Sequence, residues 1–200
     1  MAVSAYILSM SMEKVEIGKH APPMAMPVCI VGANVKGKAN FCTVAWFTVL
    51  DDEPPTLALV LGKGRATKEG IVENGTFSVN IPSEFNVAAA DYCGTHSGHS
   101  MDKSKVFKVS YGRLNTAPLA DECPVSAECK LTKVVEFPGS ELVIGEVVQV
   151  HVDKSLVVDG KVDVEGMRPL LYSFPGGPYL SIGPFVAEAF KVGKTFIPKK

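Results

Sequence analysis

The chain has 200 residues, with 20 Lys+Arg against 21 Asp+Glu for a formal charge of −1, and 46% hydrophobic against 20% charged residues. These proportions suit one packed domain and exclude a disordered chain. They offer no basic field for nucleic acid and no polybasic run for an anionic membrane, and no apolar run is long enough to span a bilayer.

Residues 1–21 open with MAVSAYILSMSM, which lacks a basic leading segment and a small-residue cleavage site. They read as an N-terminal extension rather than a signal peptide, with residues 22–200 as one domain. The 18 Gly and 14 Pro break that domain into short pieces, as expected of strands rather than a helix bundle. Residues 28–33 (VCIVGA) form a compact apolar strand, and residues 34–38 (NVKGK) a turn. Residues 40–50 (NFCTVAWFTVL) are β-branched and aromatic, which predicts a second strand. After the loop DDEPP, the continuous apolar run of residues 56–61 (TLALVL) predicts a strand buried on both faces.

The spacing predicts a helix over 66–74 with Thr67 near its N-cap, then an alternating strand over 76–81. Ser83 is a good cap for a second helix to residue 92, followed by a long polar loop to residue 105. Residues 125–135 read as a half-buried strand with odd positions, Cys129 among them, inward. Residues 142–152 form the longest strand, and 170–185 hold two short apolar pieces around Pro175–Pro178. The whole reads as mainly β, a β-barrel with a few peripheral helices.

Three segments carry candidate chemistry. Lys63-Gly64-Arg65-Ala66-Thr67-Lys68 lies between a buried strand and a helix start. A guanidinium fork, a hydroxyl and the open N–H groups of a helix N-terminus together suit a phosphomonoester; the plain alternative is a basic surface loop with a Thr cap. The segment is neither a P-loop nor a GxGxxG turn. Asn40 and Thr43 are polar in an otherwise core-like strand, and either meet a ligand edge or bond the backbone. Residues 95–103 (THSGHSMDK) hold two His three apart, short of the three or four ligands a metal needs, and read as a polar lid over a ligand.

His20 and His151 read as solvated or packed side chains. The absence of a GxSxG elbow argues against Ser/His/Asp catalysis. Five cysteines without a CxxC pair read as free thiols of a cytoplasmic protein, with Cys129 in the core.

These pieces occur in an order that resembles the flavoredoxin and flavin reductase-like family, the FMN-binding split barrels. The matching residues are N-x-x-T at Asn40–Thr43, the pair Pro54-Pro55, and R-x-T-x-x-x-I at Arg65, Thr67 and Ile71. F-x-V-N at Phe77–Asn80, S-G-x-x-x-D-K at Ser97–Lys103 and I-G-E-V at Ile144–Val147 complete the series, over residues 22–195.

The resemblance implies a homodimer with one FMN per subunit near the interface. It implies that Thr43, Val44, Ala45 and Trp46 line the ring, that Lys63, Arg65 and Thr67 hold the phosphate, and that Asn40 and Gly64 also belong to the cofactor site. Asn80, Ser97 and Gly98 would close the site, with Lys103 beside the ring or the phosphate. One departure stands out. Related reductases often carry a G-x-H before the I-G-E-V strand, where this chain has Pro138-Gly139-Ser140-Glu141. That favours electron transfer between protein partners through FMN over direct NAD(P)H oxidation. The alternatives are an NAD(P)H-dependent flavin or ferric reductase, a split barrel holding pyridoxal phosphate or haem, and a purely structural domain.

Overall fold

The computed structural model describes residues 13–197; the opening MAVSAYILSMSM lies outside the described residues. In chain order the strands and helices are β1 (Met24–Pro27), β2 (Cys29–Val35), β3 (Lys38–Val44), β4 (Phe47–Asp52), β5 (Pro55–Gly62), α1 (Ala66–Asn74), β6 (Thr76–Ile81) and α2 (Val87–Thr95). They continue with β7 (Val109–Ser110), β8 (Leu119–Ala120), β9 (Val125–Glu136), β10 (Ser140–Val152), β11 (Val157–Val158), β12 (Lys161–Val162), α3 (Val164–Met167), β13 (Leu171–Phe174) and β14 (Tyr179–Leu180).

Seven strands form one antiparallel sheet in the order β3-β2-β6-β9-β10-β5-β4. Its two edges, β3 and β4, are consecutive in sequence and joined by Ala45-Trp46, so the sheet curls upon itself. The Val60 N–H donates to the Trp46 carbonyl across that join at 2.8 Å. The result is a split β-barrel with a few peripheral helices. Its interior is filled by Val31, Leu59, Leu61, Phe77, Cys129 and Val143, with Ile71 of α1 as a plug. A second core lies on the outer face of β2 and β3, where Ile30 and Phe41 meet Ala90 and Cys93 of α2 and Phe107.

The helix at 66–74 and the strand at 76–81 stand where the sequence places them. Other segments differ. The single strand expected over 40–50 is two, because the chain turns at Ala45-Trp46. The helix expected over 83–92 begins as a 3-10 turn, Glu84–Asn86, which Ser83 and Asn86 close with a capping box, and α2 then runs to Thr95. In β9 the even positions Ser126 and Glu128 are buried instead of wet. Further along, the pairing with β10 slips at Thr132. Leu131 and Val134, of opposite parity, therefore both pack on the barrel core.

Candidate functional site

The join between β3 and β4 forms one wall of a cleft of about 160 Å³. Thr43, Val44, Ala45 and Trp46 line it together with Cys42, the end of β5 and Arg65. The segment expected to face a ring and the arginine expected to face a phosphate therefore share one cavity. Cys42 is an addition to that set, and its signal was its parity with Asn40 on β3. Burial pushes its thiol up despite the nearby positive charges of Arg65 and Lys103, so it stays protonated at neutral pH and is no nucleophile. Trp46 is half exposed and packs edge-on against Phe174 of β13, ring centroids 5.8 Å apart.

The turn Lys63-Gly64-Arg65 carries the chain from β5 into α1. Gly64 takes φ +72°, a conformation that costs glycine nothing and a side-chain-bearing residue something. Arg65 stands at the N-cap of α1, and no side chain caps the helix with a hydrogen bond. Among the described residues, Lys63 and Arg65 join no ion pair, whereas the neighbouring Lys68 is bound to the buried Glu141 at 2.6 Å. Two cations without an internal counter-charge thus flank an open helix N-terminus, the arrangement an anion completes.

Asn40 and Thr67 lock this corner from below. The buried Asn40 Nδ2 donates to Thr67 Oγ1 at 2.7 Å, tying β3 to the first turn of α1. The Ser97–Lys103 lid lies over the same corner. A side chain at Gly98 would put its Cβ 2.4 Å from Asn40 Oδ1, so only glycine lets the lid approach this closely. His99 Nε2 lies 3.0 Å from the Gly64 carbonyl and 3.5 Å from Glu69 Oε1, latching the lid to the turn. Exposed Ser97 accepts the His99 N–H on its Oγ. A second cleft of about 290 Å³, lined by Lys36, Lys38, Asn40 and the lid, adjoins the first corner through Asn40.

Two of the expected residues stand elsewhere in role. Asn80 is fully buried, and its amide is consumed inside the fold: Nδ2 donates to the Ile30 carbonyl and Ser78 Oγ, while Oδ1 accepts from the Ala120 N–H and Ser126 Oγ. It ties β6 to β2, β8 and β9 and has nothing left for a ligand. Lys103 is buried with Nζ donating to the carbonyls of Phe41 and Cys93, so it pins the lid between β3 and α2 rather than aiming at a ring or phosphate. Thr43 keeps its place but not its hydroxyl, which donates to the Ala90 carbonyl at 2.5 Å.

The two lid histidines do not gather ligands. His96 stacks on Tyr92, ring centroids 4.0 Å apart, and no group of three His, Cys, Asp or Glu side chains among the described residues is placed to hold a metal. Taken together, the remaining residues set an apolar strand end with an indole at its lip beside a cationic turn on a helix N-terminus.

Several known proteins resemble this chain. The family model described as "Flavin reductase like domain" matches residues 21–177. The structure of flavoredoxin from Methanosarcina acetivorans is 40% identical with a TM-score of 0.87, over 92% of this chain and 98% of that one. Flavoredoxin of Desulfovibrio vulgaris (Miyazaki F) is 31% identical with a TM-score of 0.84, over 90% of this chain and all of that one. The FMN reductase (NADH) RutF of Pseudomonas syringae pv. syringae is 24% identical over 58% of this chain and 63% of its own length.

Proposed function

The chain belongs to the flavin reductase-like family, and on that premise we propose that it is an FMN-binding flavoprotein of the flavoredoxin type, passing electrons through its bound cofactor. One observation carries the reading. Lys63 and Arg65, without an ion pair among the described residues, flank a helix N-terminus that no side chain caps, and Arg65 lines the Thr43–Trp46 cleft. Bound FMN supplies the hydride and one-electron chemistry, and the protein supplies position and electrostatics.

In this reading Arg65, Lys63 and the first N–H groups of α1 hold the phosphate, with Ser97 and Gly98 closing over it. Thr67 positions that turn through Asn40. The backbone of Thr43–Ala45 meets the edge of the ring, and Trp46 shields it from water. No side chain is asked to act as a general base. The single cationic turn matches FMN, since FAD carries a second phosphate and an adenosine for which no Gly-rich loop exists. The five buried, unpaired thiols support a reducing compartment and hence the cytoplasm. A homodimer fits the half-exposed Trp46, which a second copy would cover. The apolar strand Leu171–Phe174 is not available for this, since it pairs with β1 and packs Phe174 on its own Trp46.

Titration of the flavin-stripped protein with FMN, FAD and pyridoxal phosphate, followed by fluorescence, tests the assignment. FMN is expected to saturate at one per chain with the highest affinity. Tighter binding of FAD or pyridoxal phosphate would overturn it. The relation to an NADH-dependent FMN reductase keeps one second reading in play, in which the same site is reduced directly by NAD(P)H.

A further inference from the structure

The lid is a tight turn with two anchors. The N–H groups of Ser100 and Met101 donate to the Ser97 carbonyl at 3.2 and 2.9 Å, which closes residues 97–101 on themselves. One anchor is Lys103, buried between β3 and α2 with its Nζ on the Phe41 and Cys93 carbonyls. The other is His99, whose Nε2 crosses to the Gly64 carbonyl at 3.0 Å, 35 residues away in the chain. The two lid histidines thus do different work. His96 stacks on Tyr92 at the end of its own helix, whereas exposed His99 holds a backbone group of the cationic turn.

That turn needs an anchor. Lys63, Gly64 and Arg65 are all exposed. Gly64 takes φ +72°, and a Cβ there would meet nothing within 4 Å, so no packing on that side fixes the peptide. Glycine also has the widest choice of backbone conformation. The Gly64–Arg65 peptide is trans, and its N–H therefore points away from its carbonyl. Holding the Gly64 oxygen fixes the direction of the Arg65 N–H as well, and with it the segment that carries both cations. Two acceptors face His99 Nε2, the Gly64 carbonyl and Glu69 Oε1 at 3.5 Å, so this nitrogen carries a hydrogen in the neutral ring and in the charged one. Glu69 is the acidic residue in the first turn of α1, where a carboxylate competes with a phosphate for the helix N-terminus. The contact with His99 occupies it instead.

We propose that His99 is a positioning residue for the cofactor phosphate, an assignment that rests on the flavin reading above. It acts through Gly64 rather than by touching the ligand, holding the Lys63–Arg65 turn in the orientation that meets a phosphate. It thereby sets the preference of the site for a phosphorylated flavin over riboflavin. Neither His99 nor Gly64 lines the Thr43–Trp46 cleft, so the effect is confined to the phosphate end and leaves the ring's contacts alone.

Titration of the flavin-stripped protein with FMN and with riboflavin, which lacks the phosphate, separates the two ends. Flavin fluorescence reads the affinities of the unaltered protein, His99→Ala and His99→Gln. The unaltered protein is expected to bind FMN more tightly than riboflavin. His99→Ala is expected to weaken FMN by about 3- to 10-fold, the worth of one ordinary hydrogen bond, with riboflavin affinity and the melting temperature unchanged. His99→Gln, whose Nε2 can donate to the same carbonyl, is expected to recover most of the FMN affinity. Unchanged FMN affinity in His99→Ala would overturn the role. So would FMN and riboflavin weakened alike, the mark of a lid that is merely structural, or a Gln variant no better than the Ala one. An unaltered protein that binds the two flavins equally would overturn the role of His99 and leave flavin binding standing; one that binds neither would overturn the flavin reading as well.

Discussion

Arg65 is exposed, free of an ion pair among the described residues, and shares the cleft with Thr43–Trp46. Its guanidinium is therefore spendable on a ligand at little cost to the fold. A charge-assisted bond to phosphate is worth about 1.5–3 kcal/mol. Arg65→Ala is accordingly expected to weaken FMN binding by about 10- to 150-fold with the far-ultraviolet spectrum unchanged; titration by flavin fluorescence reads it. Asn80 makes the opposite case. Asn80→Ala strands the buried Ala120 N–H, a loss of about 1–3 kcal/mol, so the melting temperature is expected to fall by several degrees. FMN affinity of the folded fraction should stay put, and a selective loss of FMN would restore Asn80 to the site. Arg65 was legible in the sequence because it stands between a continuous apolar run and a helix start. The role of Asn80 was not, since an amide on an alternating strand looks the same whether it faces a ligand or a neighbouring backbone. Lys103 is misleading for a related reason: its buried ammonium meets carbonyls that only the assembled fold brings near.

At the level of elements, β9 shows both the reach of the alternation rule and its limit. The odd positions through Leu131 do face the barrel, and Cys129 is buried as expected. The slip at Thr132 changes the parity afterwards, and no residue type there announces it. Glu128 was expected at the wet face but is wholly buried, accepting the Arg113 N–H at 3.0 Å and the Leu114 N–H, with His151 Nε2 at 2.7 Å. Burial alone would push its carboxyl up; the His151 contact and the two backbone donors outweigh that and hold it below the usual carboxylate range. A carboxyl lowered in the folded state adds stability above its unfolded pKa, near 4.3, that is lost as pH falls through the folded value. The melting temperature is expected to drop between about pH 5 and pH 3, and to drop less steeply in Glu128→Gln. Equal slopes in the two proteins would deny Glu128 this part. The join at Ala45-Trp46 escaped the sequence reading because it contains no Gly, Pro or Asn; β3 and β4 are separated there by barrel closure, not by turn chemistry.

The barrel as a whole was readable from its strand spacing and from the order of short motifs, whereas assembly and electron source depend on surfaces that no motif encodes. At the position of the missing G-x-H, Ser140 pairs with Gly62 and Glu141 is held by Lys68; the imidazole beside the Lys63–Arg65 turn is that of His99 on the lid, held by the Gly64 carbonyl. In the proposed reading electrons reach the flavin from protein partners, and binding energy that would position a nicotinamide beside it is not called on. Stopped-flow mixing with NADH and NADPH is therefore expected to show slow flavin reduction without saturation at micromolar nucleotide. Fast, saturable reduction would place the protein among the direct reductases. The central claim, a resident FMN, is tested most directly by the visible spectrum of the freshly purified protein together with the mass of the cofactor released on denaturation. The account predicts a yellow protein that releases FMN at close to one per chain. A colourless protein that FMN does not reconstitute, or one that releases mainly FAD, would contradict it.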